Sequence, residues 1–238
     1  MQRLFVPTLG PTDWRRLLVD PLKQWEPDRS ALEMAVCWES ARDDDRGLPL
    51  EVRLALDATP ALADAALVIG LPEHAVEFDG VGRPSHNDLW ALLRTPAQFV
   101  SLSVEAKAGE SLAELVEDWL ENASKRSAKR ARLAGLQALL GNPDTDVGHL
   151  RYQLLHRTVS ALVEAARFRT GIAAMLVQSF NRKKDSQSWD DFCRFGEIMQ
   201  AEVAEGRFVR AEVTTSVPLY LGWVSCEPAD RDRLRAAV

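Results

Sequence analysis

The segment Phe99–Lys107 constrains the fold of this 238-residue chain more strongly than any other. Apolar residues alternate with polar ones along it, and a strand places alternate side chains on opposite faces. One face then carries Val100, Leu102, Val104 and Ala106, and the other carries Ser101, Ser103, Glu105 and Lys107. The chain must therefore build a sheet in which one strand brings a carboxylate and an ammonium group to the same face.

The segments around this strand indicate the fold class. Residues 67–107 predict a β-meander, with strands over 67–70 and 75–79 and a hairpin turn at 80–82. Asp88 begins the strand before Phe99–Lys107. Hydrophobic periodicity predicts helices over 12–25, 31–41, 111–120, 125–140, 146–168 and 189–205, and further strands over 171–180 and 208–225. This order predicts an α/β fold with a mixed central sheet flanked by helices.

The same pattern predicts one domain spanning 1–238. Residues 1–66 should form a mainly helical N-terminal extension, 67–180 the core, and 181–238 a C-terminal helix with closing strands.

Composition restricts the partners and the compartment. The net charge of -6 excludes a general phosphate-binding surface, so a nucleic-acid site would be a local basic patch. Cys37, Cys193 and Cys226 lie far apart without a C-x-x-C pair, which excludes a zinc ribbon and favours a reducing compartment. No apolar run is long enough to cross a membrane, and the N-terminal residues lack a signal-peptide pattern. We therefore expect a cytoplasmic protein without a membrane partner.

The pair Glu105 and Lys107 carries the most specific chemistry. The two side chains lie roughly 6.6 Å apart along one strand face. The carboxylate could hold Mg²⁺ or Mn²⁺, and the ammonium group could orient or deprotonate a water, or stabilise charge on a phosphate. The alternative is a solvated strand face with an ion pair across it. Asp88 favours the first interpretation, because a hairpin would bring it beside Glu105.

The run GRPSHNDLWALL followed by FVSLSVEAKAGE resembles the core of PD-(D/E)XK, restriction-endonuclease-like, nucleases. In that superfamily an aspartate follows the first core hairpin and the next strand carries (D/E)-x-K, which Asp88, Glu105 and Lys107 match. Asn87 replaces the proline that usually precedes the aspartate. The chain also resembles a set of bacterial proteins that share an EAK block and a RYQLLHRT block.

The resemblance implies a restriction-endonuclease-like fold and Mg²⁺- or Mn²⁺-dependent hydrolysis of phosphodiester bonds in nucleic acid, with DNA favoured over RNA. It implies that Asp88 and Glu105 bind the metal and that Lys107 serves the water. A further ligand on the helix before the sheet would be Glu39, with Glu33 as the second choice. Two alternatives stay open: a catalytically inactive interaction protein on the same fold, and a phosphoesterase acting on a small nucleotide. The sequence leaves a homodimer open.

The predicted helix 146–168 offers further polar groups. Gln153 and His156 share a stripe with His149 and Ser160, whereas Arg151 and Arg157 are expected to point elsewhere. Gln153, His156 or Arg157 could contact a scissile phosphate. The alternative is a central helix whose polar groups are satisfied within the fold. His149 and His156 are about 10 Å apart along the helix axis, which is too far to share a metal. His86 could chelate together with Asp88, but a turn residue is the favoured interpretation.

One segment of this acidic chain is densely basic. Its cations are Lys125, Arg126, Lys129, Arg130 and Arg132. Helical spacing spreads them over one broad side of a helix, which could grip a phosphate backbone without recognising its sequence. The alternative is a solvated helix face.

Overall fold

The computed structural model describes residues 7–78, 84–121, 123–124, 127–180 and 186–238. A six-stranded sheet in the order β1-β2-β3-β4-β6-β5 forms its centre. The strands are β1 Ala66–Val76, β2 Ser85–Arg94, β3 Phe99–Lys107, β4 Ile172–Ser179, β5 Arg207–Arg210 and β6 Leu219–Ser225. The helices are a 3-10 helix Pro11–Leu17, α1 Pro21–Gln24, α2 Ser30–Ser40, α3 Leu50–Asp57, α4 Val116–Trp119, α5 Ala128–Leu139, α6 Tyr152–Phe168, α7 Ser186–Ile198 and α8 Arg231–Ala236. The predicted α/β fold with a mixed, helix-flanked sheet is confirmed.

The sheet changes direction at β3. Strands β1, β2 and β3 form an antiparallel meander, β3, β4 and β6 are parallel, and β5 closes the edge antiparallel to β6. The connection from β3 to β4 passes through α4, α5 and α6, because parallel neighbours need a crossover. The carboxyl end of β3 therefore lies in the sheet interior, beside β4.

Both faces of the sheet are covered. One hydrophobic cluster packs α2, α3 and α8 against the face that carries Val100, Leu102 and Val104. A second cluster packs α5, α6 and α7 against the opposite face. The polar face of β3 is consequently buried under α6, and Lys107 is 6% exposed. The alternative of a solvated strand face is wrong, because a sheet with helices on both sides has no wet face.

Several predicted element boundaries differ from the structure. The segment 12–25 is a 3-10 helix followed by the short α1, and the break precedes Pro21, whose ring disfavours a helical residue before it. The two strands expected between 67 and 79 are one strand, β1, with a register shift between Leu67 and Ile69. The predicted turn at 80–82 lies outside the described residues.

Three predicted helices are shorter in the structure. The segment 111–120 contains only α4, because Leu115 forms a β-bridge with Arg151. That bridge also delays α6 to Tyr152. Helix α7 ends at Ile198 rather than near 205, and α8 was not predicted. No helix among the described residues has the length and apolar character that a membrane crossing requires.

Candidate active site

Asp88 and Glu105 lie side by side on adjacent strands. Leu89 of β2 pairs with Val104 of β3 in antiparallel register, so the next position places Asp88 opposite Glu105 on the face that α6 covers. Asp88 also accepts a hydrogen bond at Oδ2 from the Ala106 backbone N–H, at 2.7 Å. The structure thus brings together the two carboxylates that the sequence proposed as metal ligands.

The Glu105 carboxylate is the most heavily bonded group of the site. Lys107 Nζ donates to Oε1 at 2.5 Å, and Arg157 Nε donates to Oε2 at 2.5 Å. The Gln153 side-chain amide also donates to Oε1. Burial alone would raise the pKa of Glu105, but the Arg157 and Lys107 charges outweigh it and hold that pKa below its usual value. Glu105 is therefore an ionised carboxylate in a 1% exposed position.

Asp88 has the opposite electrostatic balance. Burial and the neighbouring Glu105 charge raise the pKa of Asp88 to about 7, although Arg157 and Lys107 partly oppose this. The nearest guanidinium atom, Arg157 Nη2, lies 3.9 Å from Asp88 Oδ1. A carboxylate in these surroundings gains from any additional positive charge, whether a proton or a metal cation.

Glu73 extends the acidic pair into a row across three strands. Residues on both sides of Glu73 in β1 pair with residues on both sides of Asp88 in β2, so these two carboxylates lie opposite each other. Burial and the Asp88 charge raise the pKa of Glu73 to about 8. Glu73 was not predicted as a site residue, because the preceding Pro72 suggests the end of a strand. The signal was nevertheless there, since continuing the alternation of β1 through Pro72 places Glu73 beside Asp88.

These side chains line a cavity of about 570 Å³. Its acidic and basic lining includes Glu73, Asp88, Glu105, Lys107 and Arg157. The segment around α1 forms the outer wall, and its exposed Val19 and Leu22 also line the cavity. Such a partly enclosed polar cavity at the end of β3 has room for a phosphate group and a hydrated cation.

The donor chemistry suits a hard divalent cation. Carboxylate oxygens are its preferred ligands, and Mg²⁺ usually takes one or two carboxylates together with water and substrate oxygens. The buried Gln153 Oε1 has no hydrogen-bond partner among the described residues, which leaves one further oxygen beside Glu105. Within the described ranges no group of three or more His, Cys, Asp or Glu side chains is close enough to hold a metal. The fit therefore rests on Asp88 and Glu105, and a cation there would compete with Arg157.

Helix α6 supplies the groups above the carboxylates. Gln153 and Arg157 are one turn apart and both reach Glu105. His156 Nδ1 lies 2.8 Å from Ser85 Oγ, and burial followed by the Arg157 charge holds the pKa of His156 well below its usual value. His149 does not join them, because it is exposed in the loop before α6. His86 lines the cavity on the same face of β2 as Asp88.

The structure does not bring Glu39 or Glu33 to this cavity. Glu39 accepts hydrogen bonds from Thr8 Oγ1 at 2.6 Å and Trp14 Nε1 at 2.8 Å, so it fastens the N-terminal segment to α2. Glu33 is 1% exposed and accepts from the Ala229 backbone N–H at 2.8 Å. Helix α2 packs on the opposite face of the sheet from α6, which separates both carboxylates from Glu105.

The basic segment lies partly within the described residues. Lys125 and Arg126 are outside them, and α5 begins at Ala128 after the Ser127 cap. Lys129 and Arg130 are exposed, and Lys129 Nζ donates to the Trp119 backbone oxygen at 2.5 Å. Lys129 and Arg132 line a second cavity, of about 470 Å³, which shares His86 and Arg157 with the first. Arg130 lies outside that lining.

No curated protein and no solved structure matched the chain. A family model described as "Domain of unknown function (DUF6946)" matches residues 7–228, which is most of its length. The chain belongs to this family, whose description assigns no activity.

Proposed function

We propose that the protein is a metal-dependent phosphodiesterase that cleaves nucleic acid with a site of the PD-(D/E)XK type. One observation carries the proposal: Asp88 and Glu105 are opposite each other on adjacent strands, with Lys107 bonded to Glu105, in a cavity. A buried and a partly buried carboxylate that repel each other next to a lysine reduce the stability of the fold. Such arrangements are typical of functional sites.

Asp88 and Glu105 would hold Mg²⁺ or Mn²⁺, with Glu73 adding negative charge from β1. When bound, the cation would polarise a phosphoryl oxygen and lower the pKa of a coordinated water. The raised pKa of Asp88 supports this assignment, because the neighbouring charges disfavour its ionised form until a cation is added. Binding at Glu105 would loosen its ion pairs with Lys107 and Arg157.

Lys107 would act as a cationic hydrogen-bond donor. Although burial lowers its pKa, the Glu105 and Asp88 charges raise it above the usual value, so the side chain is an ammonium group. An ammonium group orients an attacking water or stabilises a phosphate oxygen, and it does not remove a proton. Arg157, released from Glu105, would donate to the phosphate that accumulates charge in the transition state.

The second candidate function is binding without catalysis. It is favoured by the saturation of Glu105, which already accepts from Lys107, Gln153 and Arg157. In that case the three cationic and amide groups keep a buried carboxylate satisfied, and the cavity binds an anionic partner. The small-nucleotide alternative is less well supported. Lys129 and Arg132 line a cavity that adjoins the site, and a small nucleotide would not need cations beyond the first cavity.

A cleavage assay decides between these functions. Single- and double-stranded DNA and RNA would be incubated with the protein in Mg²⁺, Mn²⁺ or EDTA, beside Lys107→Ala and the surface control Arg235→Ala in α8. We expect cleavage that EDTA and Lys107→Ala abolish and that Arg235→Ala leaves intact. Absence of cleavage with every substrate and metal, together with absence of metal binding by calorimetry, would leave the binding function.

A further inference from the structure

The second cavity lies beside the carboxylates and has a different lining. It has a volume of about 470 Å³ and is lined by aromatic and cationic side chains. They are Trp119, Tyr152, His156, Lys129, Arg132 and Arg157. His86 and Arg157 line both cavities, so a ligand can extend from one into the other.

An aromatic pair forms one wall of this cavity. The Trp119 and Tyr152 rings stack with a centroid distance of 4.0 Å and an angle of 13°. Tyr152 covers one face of the indole, and the Lys129 ammonium lies 5.3 Å from its centroid. Lys129 is exposed, and to leave the indole its side chain must give up its 2.5 Å hydrogen bond to the Trp119 backbone oxygen, which water can replace. Trp119 therefore offers a flat apolar surface on which another ring could stack.

Cations lie next to that surface. Arg132 Nε donates to the Tyr152 hydroxyl at 2.8 Å, and the guanidinium stacks on Phe78 at 4.4 Å. These contacts fix the guanidinium at the cavity wall, and the exposed Lys129 lies on the same lining. A stacking surface combined with neighbouring cations is the lining that proteins use for unpaired nucleotides.

We propose that this cavity is a subsite for an unpaired nucleotide that neighbours the scissile phosphate in single-stranded nucleic acid. Its base stacks on Trp119 in the place of the Lys129 ammonium, and its phosphate pairs with Lys129 and Arg132. A paired base cannot stack on a side chain while it remains in the duplex, so the subsite selects single strands. The assignment rests on the proposed function and deepens it, because it names the substrate class of the same site.

The test measures binding without cleavage. Labelled single-stranded and double-stranded DNA of one length and sequence would be titrated with the protein in EDTA, and binding followed by fluorescence anisotropy. The variants are Trp119→Ala, the ring-retaining Trp119→Phe, Lys129→Ala and Arg132→Ala. Arg235→Ala is the control, since Arg235 is exposed on α8, which packs on the opposite face of the sheet, and lines neither cavity.

We expect Trp119→Ala to weaken single-strand binding about 5- to 150-fold, the range for losing one stacked base, while Trp119→Phe keeps most of it. Lys129→Ala should reduce the slope of log affinity against log salt by about 0.7, as for one lost phosphate contact. Arg235→Ala should leave the difference between single and double strands unchanged. Quenching of tryptophan fluorescence by the oligonucleotide should be smaller in Trp119→Phe than in wild type.

Two results would overturn the subsite. One is wild-type affinity that is equal for single and double strands; the other is unchanged single-strand affinity in Trp119→Ala whose melting temperature is normal. If Trp119→Ala does not fold, unchanged fluorescence quenching in Trp119→Phe together with unchanged single-strand affinity in Arg132→Ala overturns the subsite instead. If the protein cleaves nucleic acid with metal but these variants have no effect, the subsite is wrong and the nuclease proposal stands. If the variants weaken binding but no cleavage occurs, the subsite stands and the nuclease proposal is wrong.

Discussion

Along one face of β3, two buried serines are followed by a buried charged pair, and the two halves of that face are satisfied in different ways. Ser101 donates to the Ala161 backbone oxygen at 2.8 Å and accepts from Trp90 Nε1 at 2.9 Å. Ser103 donates to Asn87 Oδ1 at 2.5 Å. Each serine thus has a neutral partner, which is the ordinary solution for a buried polar group.

The charged half of this face has charged partners instead of neutral ones, and its charges do not cancel at every position. Glu105 binds Lys107 and Arg157, while Asp88 beside it has its pKa raised to about 7. Removing charges from water costs several kcal/mol per ion, and neutral or apolar residues of similar size would stabilise the fold at least as well. Both halves join β3 to α6, the serine half through Ser101 and the charged half through Glu105, but only the charged half carries the groups that the proposed function needs.

Removing the Lys107 ammonium group tests most directly whether the charged half differs in function from the serine half. In the proposed enzyme, Lys107→Ala should lower turnover about 10²- to 10³-fold, the effect of losing one preorganised hydrogen-bond donor to the transition state. Because Lys107 is 6% exposed and bonded to Glu105, the variant should also lose some stability, contrary to what a solvated strand end would predict. Lys107→Met preserves the packing of the side-chain stem, so a similar loss of turnover in a better-folded variant would assign the effect to the charge.

Turnover measured beside thermal melting checks this. If Lys107→Met cleaved at the wild-type rate, the two halves of the face would both be structural.

Removing Arg157 should produce the largest loss of stability. Arg157→Ala leaves the Glu105 and Asp88 charges with less compensation in a buried place, and we expect a loss of about 3–5 kcal/mol in the free energy of unfolding. Arg194→Ala is the control, because its pair with Asp191 is half-exposed and should contribute less than about 1 kcal/mol. Urea unfolding in EDTA measures both.

Arg157→Ala also sharpens the metal assignment. If Mg²⁺ and Arg157 compete for the same carboxylates, Mg²⁺ should raise the melting temperature of Arg157→Ala more than that of wild type. An equal response of the two proteins to Mg²⁺ would contradict binding at Asp88 and Glu105.

Substitutions in the serine half should lower stability less than Arg157→Ala does, and the loss should be the same with and without Mg²⁺. Ser103→Ala leaves the buried Asn87 Oδ1 without this donor, at a cost of about 1–3 kcal/mol. Turnover should stay within a few-fold of wild type, because Ser103 does not line the cavity. Urea unfolding and a cleavage assay on the same preparation test this. A large loss of turnover in a stable Ser103→Ala would show that the division between the two halves is false.

Local patterns predicted the part of the site that β2 and β3 form. Strand alternation and a short connection are enough to place Asp88 beside Glu105 and Lys107. The prediction that Arg157 points away from the stripe through Gln153 is wrong, because both side chains reach Glu105 from successive turns of α6. The stripe of polar residues through His149 is the more conspicuous pattern in the sequence, but the structure leaves His149 outside α6.

Tertiary packing decided what local patterns could not. Only the family resemblance proposed Glu39 as a ligand, and the face of the sheet on which α2 packs depends on how the two hydrophobic clusters assemble. Glu73 was not placed in the site from the sequence, because proline usually interrupts a strand and Pro72 precedes it. Here β1 continues through it at the sheet edge, and Glu73 takes a φ of +51°.

The smallest expected effect concerns the pH dependence of two cavity carboxylates with opposite surroundings. Burial and the Asp88 charge raise the pKa of Glu73 to about 8, so the folded state holds a proton that the unfolded state loses near pH 4.5. Glu73 then costs no stability below pH 4.5, costs more as the pH rises, and costs most above pH 8. Burial alone would raise the pKa of Glu110. Backbone hydrogen bonds from Ser30 and Ala108 outweigh burial and hold that pKa below its usual value. Glu110 therefore stabilises the fold above pH 4.5, and this stabilisation is lost in acid.

Replacing each carboxylate by an amide should change stability in opposite directions, because ionised Glu73 destabilises the fold and ionised Glu110 stabilises it. Because solvent reaches the half-buried Glu73 and screens part of the repulsion, Glu73→Gln should stabilise the protein by about 1 kcal/mol at pH 8, or about 2–4 °C in melting temperature. The gain should vanish near pH 4.5 and shrink in Mg²⁺, which would replace the proton. Glu110→Gln should instead lower the melting temperature at pH 8 and match wild type in acid. Melting curves from pH 4 to 9 in EDTA test both, and a gain from Glu73→Gln that is the same at every pH would mean that the acidic row carries no repulsion.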